Sequence, residues 1–152
     1  MGQGAWTALA QIAADGLGLD LEQVEFRSGT ADLPDAGIAG GSAHTATAGM
    51  AIHNAGAAVI AKLANLATGD ERSPLFGAGN AGVVARNGRL IRRDDETRSE
   101  SYPDILKRAG LAQVEARGQG WTEDGVYRCA HSFRTCTQDY VLGISAVPSG
   151  LG

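Results

Sequence analysis

The stretch from Ala39 to Leu66 constrains the fold most, because a glycine-rich turn runs directly into a long alanine-rich segment. Apolar residues recur in this segment at three- and four-residue steps, which is the spacing of a helix face packed on a core. They are Ile52, Ala55, Val59, Leu63 and Leu66. The turn from Gly40 to His44 carries little side-chain bulk, so a ligand can approach its backbone closely. Because the first N–H groups of a helix are unpaired and lie at its positive dipole end, this start favours an anion.

The N-terminus repeats the arrangement on a smaller scale. Gly2-Gln3-Gly4 precedes a short amphipathic segment in which Ala5, Leu9, Ile12 and Ala13 share one face. Two glycines, Gly16 and Gly18, permit the left-handed backbone that ends many helices. The sequence therefore predicts two helices that each begin at a glycine-rich turn.

The remaining segments predict short strands and a third helix. Ser101 is placed to cap a helix that contains Pro103 in its first turn and ends at Gly110. The predicted strands are Val24–Arg27, two segments on either side of an Asn87-Gly88 turn, and Leu111–Arg117. The expected fold class is α+β, with short strands packed against two glycine-entered helices and a capped third helix.

Length and charge exclude several classes of protein. The chain has 152 residues, of which 43% are hydrophobic, enough for one domain with a core. Its net charge of -4 argues against a nucleic-acid partner, since phosphate backbones require a basic face. No apolar run reaches the roughly 18 residues of a membrane span, and the first residues lack the pattern of a secretory signal. We therefore expect a cytoplasmic protein with no membrane partner.

The two cysteines offer no strong metal or disulfide pattern. Cys129 and Cys136 are separated by six residues, which matches neither a zinc-ribbon pair nor a disulfide framework. Adding His131 gives three possible ligands, whereas structural zinc is bound by four. We predict no metal ligand in this chain.

A dinucleotide-binding pattern occurs in the wrong context. The segment from Gly77 to Gly82 has the glycine spacing of that motif, which requires a strand before it and a helix after it. Here a polar loop precedes the glycines, and alternating apolar residues follow them. We interpret the pattern as a chance match in a chain with 22 glycines.

A serine hydrolase is also disfavoured. Ser42 and His44 lie close in sequence to Asp32 and Asp35, but a nucleophile elbow requires glycine two residues on either side of the serine, and His44 occupies the second of those positions. The simplest role for Ser42 is to cap the long helix. No catalytic residue is predicted. From the residues alone, tight helix packing explains the bare helix starts somewhat better than an anionic ligand does.

The same residues resemble a known family. Met1-Gly2-Gln3-Gly4, followed at a characteristic distance by the segment Gly41–Gly49, is similar to the second molybdopterin-binding region in the large subunit of xanthine dehydrogenase and aldehyde oxidase family enzymes. The similarity continues through Gly88-Arg89-Leu90 and Ser101-Tyr102 to His131-Ser132-Phe133 and covers about 130 residues. The combination of both glycine elements is more specific than either alone.

The resemblance implies a cofactor and a set of residues that contact it. Gln3 would hydrogen-bond the molybdenum–pyranopterin cofactor, and the backbone from Gly41 to His44 would line its pterin and phosphate. The implied cofactor-binding residues are Gly2, Gln3, Gly4, Gly41, Ser42, Ala43 and His44. Enzymes of this family hydroxylate a carbon of an aldehyde or N-heterocycle with oxygen from water.

The chain also departs from the family. The family's large subunit is several times longer, its catalytic glutamate lies in a segment after this region, and the other half of the cofactor site precedes it. Two cysteines cannot hold two iron–sulfur clusters. We therefore expect a cofactor-contacting fragment, inactive alone, whose partners are the remainder of the large subunit and the iron–sulfur and flavin subunits or domains. The alternative is a remnant or packing module that binds no ligand.

The resemblance stops at Phe133. We therefore divide the chain into a partial molybdopterin-binding domain, residues 1–133, and a divergent tail, residues 134–152. The abrupt stop suggests a shifted reading frame as a hypothesis. If no single-base change in the encoding DNA restores the family pattern downstream of Phe133, the hypothesis is wrong.

Overall fold

The computed structural model describes residues 4–26, 43–120 and 138–145, and it has mixed helices and small antiparallel sheets. The α-helices and strands are α1 (Ala5–Leu17), α2 (Ala43–Thr68), β1 (Val83–Arg86), β2 (Arg89–Arg92), β3 (Ser99–Ser101), α3 (Tyr102–Ala109), β4 (Gln113–Gly120) and β5 (Gln138–Ser145). This confirms the α+β class. No helix in the described ranges is long and apolar enough to cross a membrane.

The first helix, α1, follows the predicted pattern. It begins after Gly4 and ends at Gly18, and both glycines have the left-handed backbone that side chains disfavour. Leu9 and Ala13 are buried in a cluster with Ala48 and Ile52 of α2. The periodic apolar face therefore packs α1 against α2.

The central helix, α2, contributes more buried residues to the core than any other described element. Ile52, Ala55, Val59 and Leu63 are each at most 1% exposed, which confirms the predicted stripe. Leu66, the last residue of the stripe, is partly buried against the same core. This core also contains apolar residues of α1, α3, β1, β2 and β4, and Leu75 from the loop that follows α2.

The strands β1, β2 and β3 form an antiparallel sheet in sequence order. The turn between β1 and β2 consists of Asn87 and Gly88, both with positive φ, as the Asn-Gly signal predicts. The glycine pattern at 77–82 leads into β1, a strand, and not into a helix. The context that a dinucleotide-binding motif needs is therefore absent from this segment.

The third helix, α3, has the predicted cap. The Ser101 hydroxyl accepts a hydrogen bond from the Asp104 N–H at 3.3 Å, and Gly110 ends the helix in the left-handed conformation. Ile105 and Leu106 are fully buried. A capping serine, an early proline and a terminal glycine thus fixed both ends of α3.

Three strand predictions require correction. Val24 has an extended backbone, but no described strand pairs with the residues from Val24 to Phe26, two of which instead pack against the α1–α2 cluster. The strand predicted to start at Leu111 starts at Gln113, so Ala112 is exposed. The same strand was predicted to end at Arg117, whereas β4 continues to Gly120.

Strand β5 was not predicted, and it lies within residues 134–152, the predicted divergent tail. It pairs antiparallel with β4 along its whole length, from Gln113 opposite Ser145 to Gly120 opposite Gln138.

Side-chain contacts show that α1 and α2 run parallel. Ile12 lies beside Gly49, because a Cβ added at Gly49 would be 2.8 Å from the Ile12 Cδ1. Gly16 lies beside Gly56, because a Cβ added at Gly56 would be 3.4 Å from the Gly16 carbonyl carbon. The contacts advance together along both helices, as they must in a parallel pair. The N-terminal ends of α1 and α2 therefore lie at the same end of the molecule.

Strand β4 runs antiparallel to α2. The Lys62 Nζ donates to the Glu115 carbonyl at 2.7 Å, and the Asn54 Nδ2 donates to the Gln119 carbonyl at 2.8 Å. Further along, Gly120 abuts Thr47. The last residues of β4 thus reach the same end of the molecule as the starts of both helices.

Tyr102 joins α3 to the end of α1 through a buried hydrogen bond. The side chain is 1% exposed, and its hydroxyl donates to the Leu17 carbonyl at 2.6 Å. Burial raises the pKa of the phenol, so the hydroxyl remains a donor at neutral pH. Tyr102→Phe should lower the free energy of unfolding by about 1–3 kcal/mol, since a buried carbonyl loses its donor. Urea denaturation measures this, and an unchanged midpoint would contradict the contact.

Candidate cofactor-binding end

The start of α1 presents backbone donors that have no partner within the helix. The first intrahelical bond runs from the Ala8 N–H to the Gly4 carbonyl at 3.1 Å, so the N–H groups of residues 5–7 have no acceptor within the helix. No side chain caps this end, and its first turn contains no acidic residue. Gly4 itself has φ 65° and lacks a Cβ that would shield the turn.

The start of α2 lies at the same end. Its first turn begins at Ala43 and contains no acidic residue. Because α1 and α2 are parallel, two positive helix ends face the same region. An anion placed there would interact favourably with both.

The end of β4 adds glycine backbone to this region. Gly118 and Gly120 are on its buried face, where an added Cβ would overlap the backbone of α2 at Ala51 and Thr47 respectively. Only glycine allows the strand to lie this close to the helix. The end at which α1 and α2 begin therefore includes closely packed backbone, together with the exposed side chain of Trp6.

The predicted cofactor-binding residues fall into two groups. Gly4 is the N-cap of α1, and Ala43 and His44 are in the first turn of α2, so the structure brings these three to one end of the molecule. The other four, Gly2, Gln3, Gly41 and Ser42, lie outside the described residues, as do Asp32, Asp35, Cys129, His131 and Cys136. Within the described ranges, no three acidic, histidine or cysteine side chains gather as a metal site.

An anionic cofactor rich in hydrogen-bonding groups fits this end. Such a group needs N–H donors, closely approaching backbone and no carboxylate nearby. The described part of the region has unpaired N–H groups on α1, glycine at its cap and first turns free of acidic residues. The donor set therefore suits the phosphate and polar edge of a pterin-type cofactor.

The opposite end of α2 carries a charged network that the sequence did not reveal. The Arg108 guanidinium donates to both oxygens of Glu100, at 2.9 and 2.8 Å, and to Asp70 at 2.6 Å. The Ser73 hydroxyl also donates to Glu100, at 2.7 Å. Hydrogen bonds from Arg72 hold the pKa of Asp70 well below its usual range. Glu100 is only 8% exposed, although the segment 92–100 has the composition of a solvated charged linker.

A shallow cavity of about 670 Å³ lies beside this network, lined by the last turn of α2, the loop that follows it and Arg108. It is separated from the helix starts by the length of α2, about 39 Å for 26 residues at 1.5 Å per residue. Both arginines that line it, Arg72 and Arg108, already pair with Asp70. This cavity is therefore not the candidate cofactor site.

Comparisons with known proteins agree with the geometry. Quinoline 2-oxidoreductase from Pseudomonas putida 86 has a similar fold, with a TM-score of 0.62 and 22% sequence identity. The match covers 97% of this chain and 16% of that chain, so this chain spans about one sixth of the length of the solved relative. A sequence search among curated proteins finds no match.

A family model for a molybdopterin cofactor-binding domain matches residues 1–146. The matched region includes the starts of both helices and extends through β5. Together with the structural match, it confirms the resemblance identified in the sequence and molybdopterin as the cofactor. The chain belongs to the molybdopterin cofactor-binding domain family.

Proposed function

We propose that this chain forms one wall of the molybdopterin site in the large subunit of a molybdenum hydroxylase, and that it is inactive without the rest of that subunit. The observation that carries the proposal is the parallel packing of α1 and α2. It brings two helix N-termini and the glycine end of β4 to a single end of the molecule.

Each residue has a proposed role at that site. The Gln3 side-chain amide hydrogen-bonds the pterin edge, because an amide both donates and accepts. Gly2 and Gly4 allow the backbone to approach the cofactor closely. The backbone N–H groups of Gly41, Ser42, Ala43 and His44 donate to its phosphate at the start of α2.

The bound cofactor would supply the redox chemistry that hydroxylates a carbon of an aldehyde or N-heterocycle with oxygen from water. This chain would bind and orient the cofactor. The matched fold occupies 16% of the solved relative's chain, so a complete site requires further polypeptide. The proposed partners are the remainder of the large subunit and the iron–sulfur and flavin components that accept electrons.

The proposal predicts that Gln3 contributes to cofactor retention. We expect purified complexes of this chain with the remaining large-subunit segments to contain molybdenum and pterin, and Gln3→Ala to lower the content at least roughly tenfold. Loss of one or two hydrogen bonds to a charged group costs about 1.5–3 kcal/mol each, and about 1.4 kcal/mol is a factor of ten. Metal analysis and pterin fluorescence provide the measurements.

Gln113→Ala is the matched control, because Gln113 is exposed at the start of β4, away from the helix starts. It should leave both contents unchanged. Absence of molybdenum and pterin from the chain alone and from every mixture would defeat the proposal. Equal molybdenum and pterin contents in the Gln3→Ala and Gln113→Ala variants would show that Gln3 does not bind the cofactor.

A further inference from the structure

Helix α2 is unusually poor in charge. The chain contains 13 Lys and Arg and 17 Asp and Glu among 152 residues, so an even distribution would place about five charges on a helix of 26 residues. It carries one, Lys62, whose Nζ donates within the fold to the Glu115 carbonyl. A helix without charge around its circumference is typical of one that is buried on all sides.

One side of α2 is nevertheless exposed. Uncharged residues recur along it at three- and four-residue steps, and we call this side the outer face of α2. It consists of Ala46, Met50, His53, Ala57 and Ala61, all exposed. They span about 22 Å, or four helical turns.

Two other exposed surfaces of the described chain differ from this face. The exposed side of α3 has Asp104 and Lys107, and the outward residues of β4 include Glu115 and Arg117. Single exposed apolar residues need no explanation, but a continuous uncharged helix face of this length marks an interaction surface.

We propose that the outer face of α2 binds an apolar helix from the remainder of the large subunit. This inference rests on the proposed function. Two observations select this occupant. In the solved relative, the matched fold is 16% of the chain. Most of that polypeptide therefore lies outside the matched fold and is available to cover its surface. Three of the five positions on the face are alanine, which lets a second helix approach closely.

Site-directed photo-crosslinking in the native host identifies the occupant. A benzophenone amino acid is placed at Met50 or Ala57 in the full chain, with Ala112, which is exposed on a different element, as the control position. Crosslinked peptides are identified by mass spectrometry. We expect peptides of a molybdenum hydroxylase large subunit from the two face positions and none from Ala112. Crosslinks to a second copy of this chain, to an unrelated protein or to nothing would overturn the proposal.

A charge introduced on the outer face of α2 provides a second test of the proposal. Ala57→Glu should leave the melting temperature of the isolated chain unchanged, because the residue is exposed there. It should weaken association with the remaining large-subunit segments by roughly tenfold or more, because a carboxylate buried without a partner costs more than the roughly 1.4 kcal/mol that corresponds to that factor.

Ala112→Glu should not change the association. Equal affinity of the Ala57→Glu and wild-type chains would overturn the inference, as would failure of the wild-type chain to associate. Molybdenum content is measured on the same complexes, so a complex that forms without cofactor contradicts the proposed function and leaves this interface in place.

Discussion

Gly118→Ala is expected to lower the free energy of unfolding by roughly 3 kcal/mol or more, enough to unfold much of the protein at moderate temperature. A Cβ at Gly118 would overlap the Ala51 carbonyl oxygen and the Ala55 N–H group and would lie 2.9 Å from the Ala55 Cα. All three are backbone atoms of α2, so no side chain can rotate away to make room. The strand must move off the helix, which opens the core between them.

Gly16→Ala is the control for this substitution. A Cβ at Gly16 meets no atom within 4 Å, and the residue lies inside α1. Alanine there should stabilise the helix by up to about 1 kcal/mol. Chemical denaturation of both variants provides the measurement. If Gly118→Ala unfolded at the wild-type midpoint, the close approach of β4 to α2 would be wrong.

Arg108→Met is expected to cost about 3–5 kcal/mol of unfolding free energy, because it leaves a buried carboxylate without its partner. The side chains of Arg108 and Glu100 are 12% and 10% exposed, and two parallel hydrogen bonds join them. Pairing with Glu100 raises the pKa of Arg108, so its charge is always present. After substitution, Ser73 remains as a side-chain donor to Glu100.

Arg72→Met tests whether the loss of stability in Arg108→Met comes from the burial of the charged pair. Arg72 also pairs with Asp70, but its side chain is 71% exposed, and exposed pairs contribute little. Its removal should leave the unfolding midpoint nearly unchanged, since Arg108 still contacts Asp70. Equal losses for the two arginine variants would show that the network at the end of α2 does not stabilise the protein through a buried charge.

Features set by neighbouring residues could be predicted from the sequence. The Asn87-Gly88 turn, the Ser101 cap and the apolar stripe of α2 each depend on residues a few positions apart, and all three are present. The signals are local because turns, caps and helix faces are formed by local contacts.

Features that depend on distant residues were missed. Gly118 and Gly120 have the composition of a turn, and only the position of α2 explains why a strand needs glycine there. Glu100 has the composition of a charged linker, but Arg108 and Ser73 pair with it in the folded chain. Tertiary contacts decided both cases.

The identity of the cofactor was predictable only through resemblance. The residues around Gly4 and Ala43 indicate bare helix starts, yet nothing in their spacing shows that the two helices are parallel. Contacts such as Ile12 beside Gly49 supply that information. The residue types therefore predicted an anion-binding backbone, and the packing adds that two such starts lie at one end.

Amide hydrogen exchange at the two helix starts tests this convergence most directly. The chain would be purified in complex with the remaining large-subunit segments, once from cells that make molybdopterin and once from cells that cannot. We predict that backbone amides in the first turns of both α1 and α2 exchange more slowly when the cofactor is bound, because they donate to it. The Ser101-capped start of α3 should be unaffected. Protection of only one start, or of neither, would contradict a shared cofactor site.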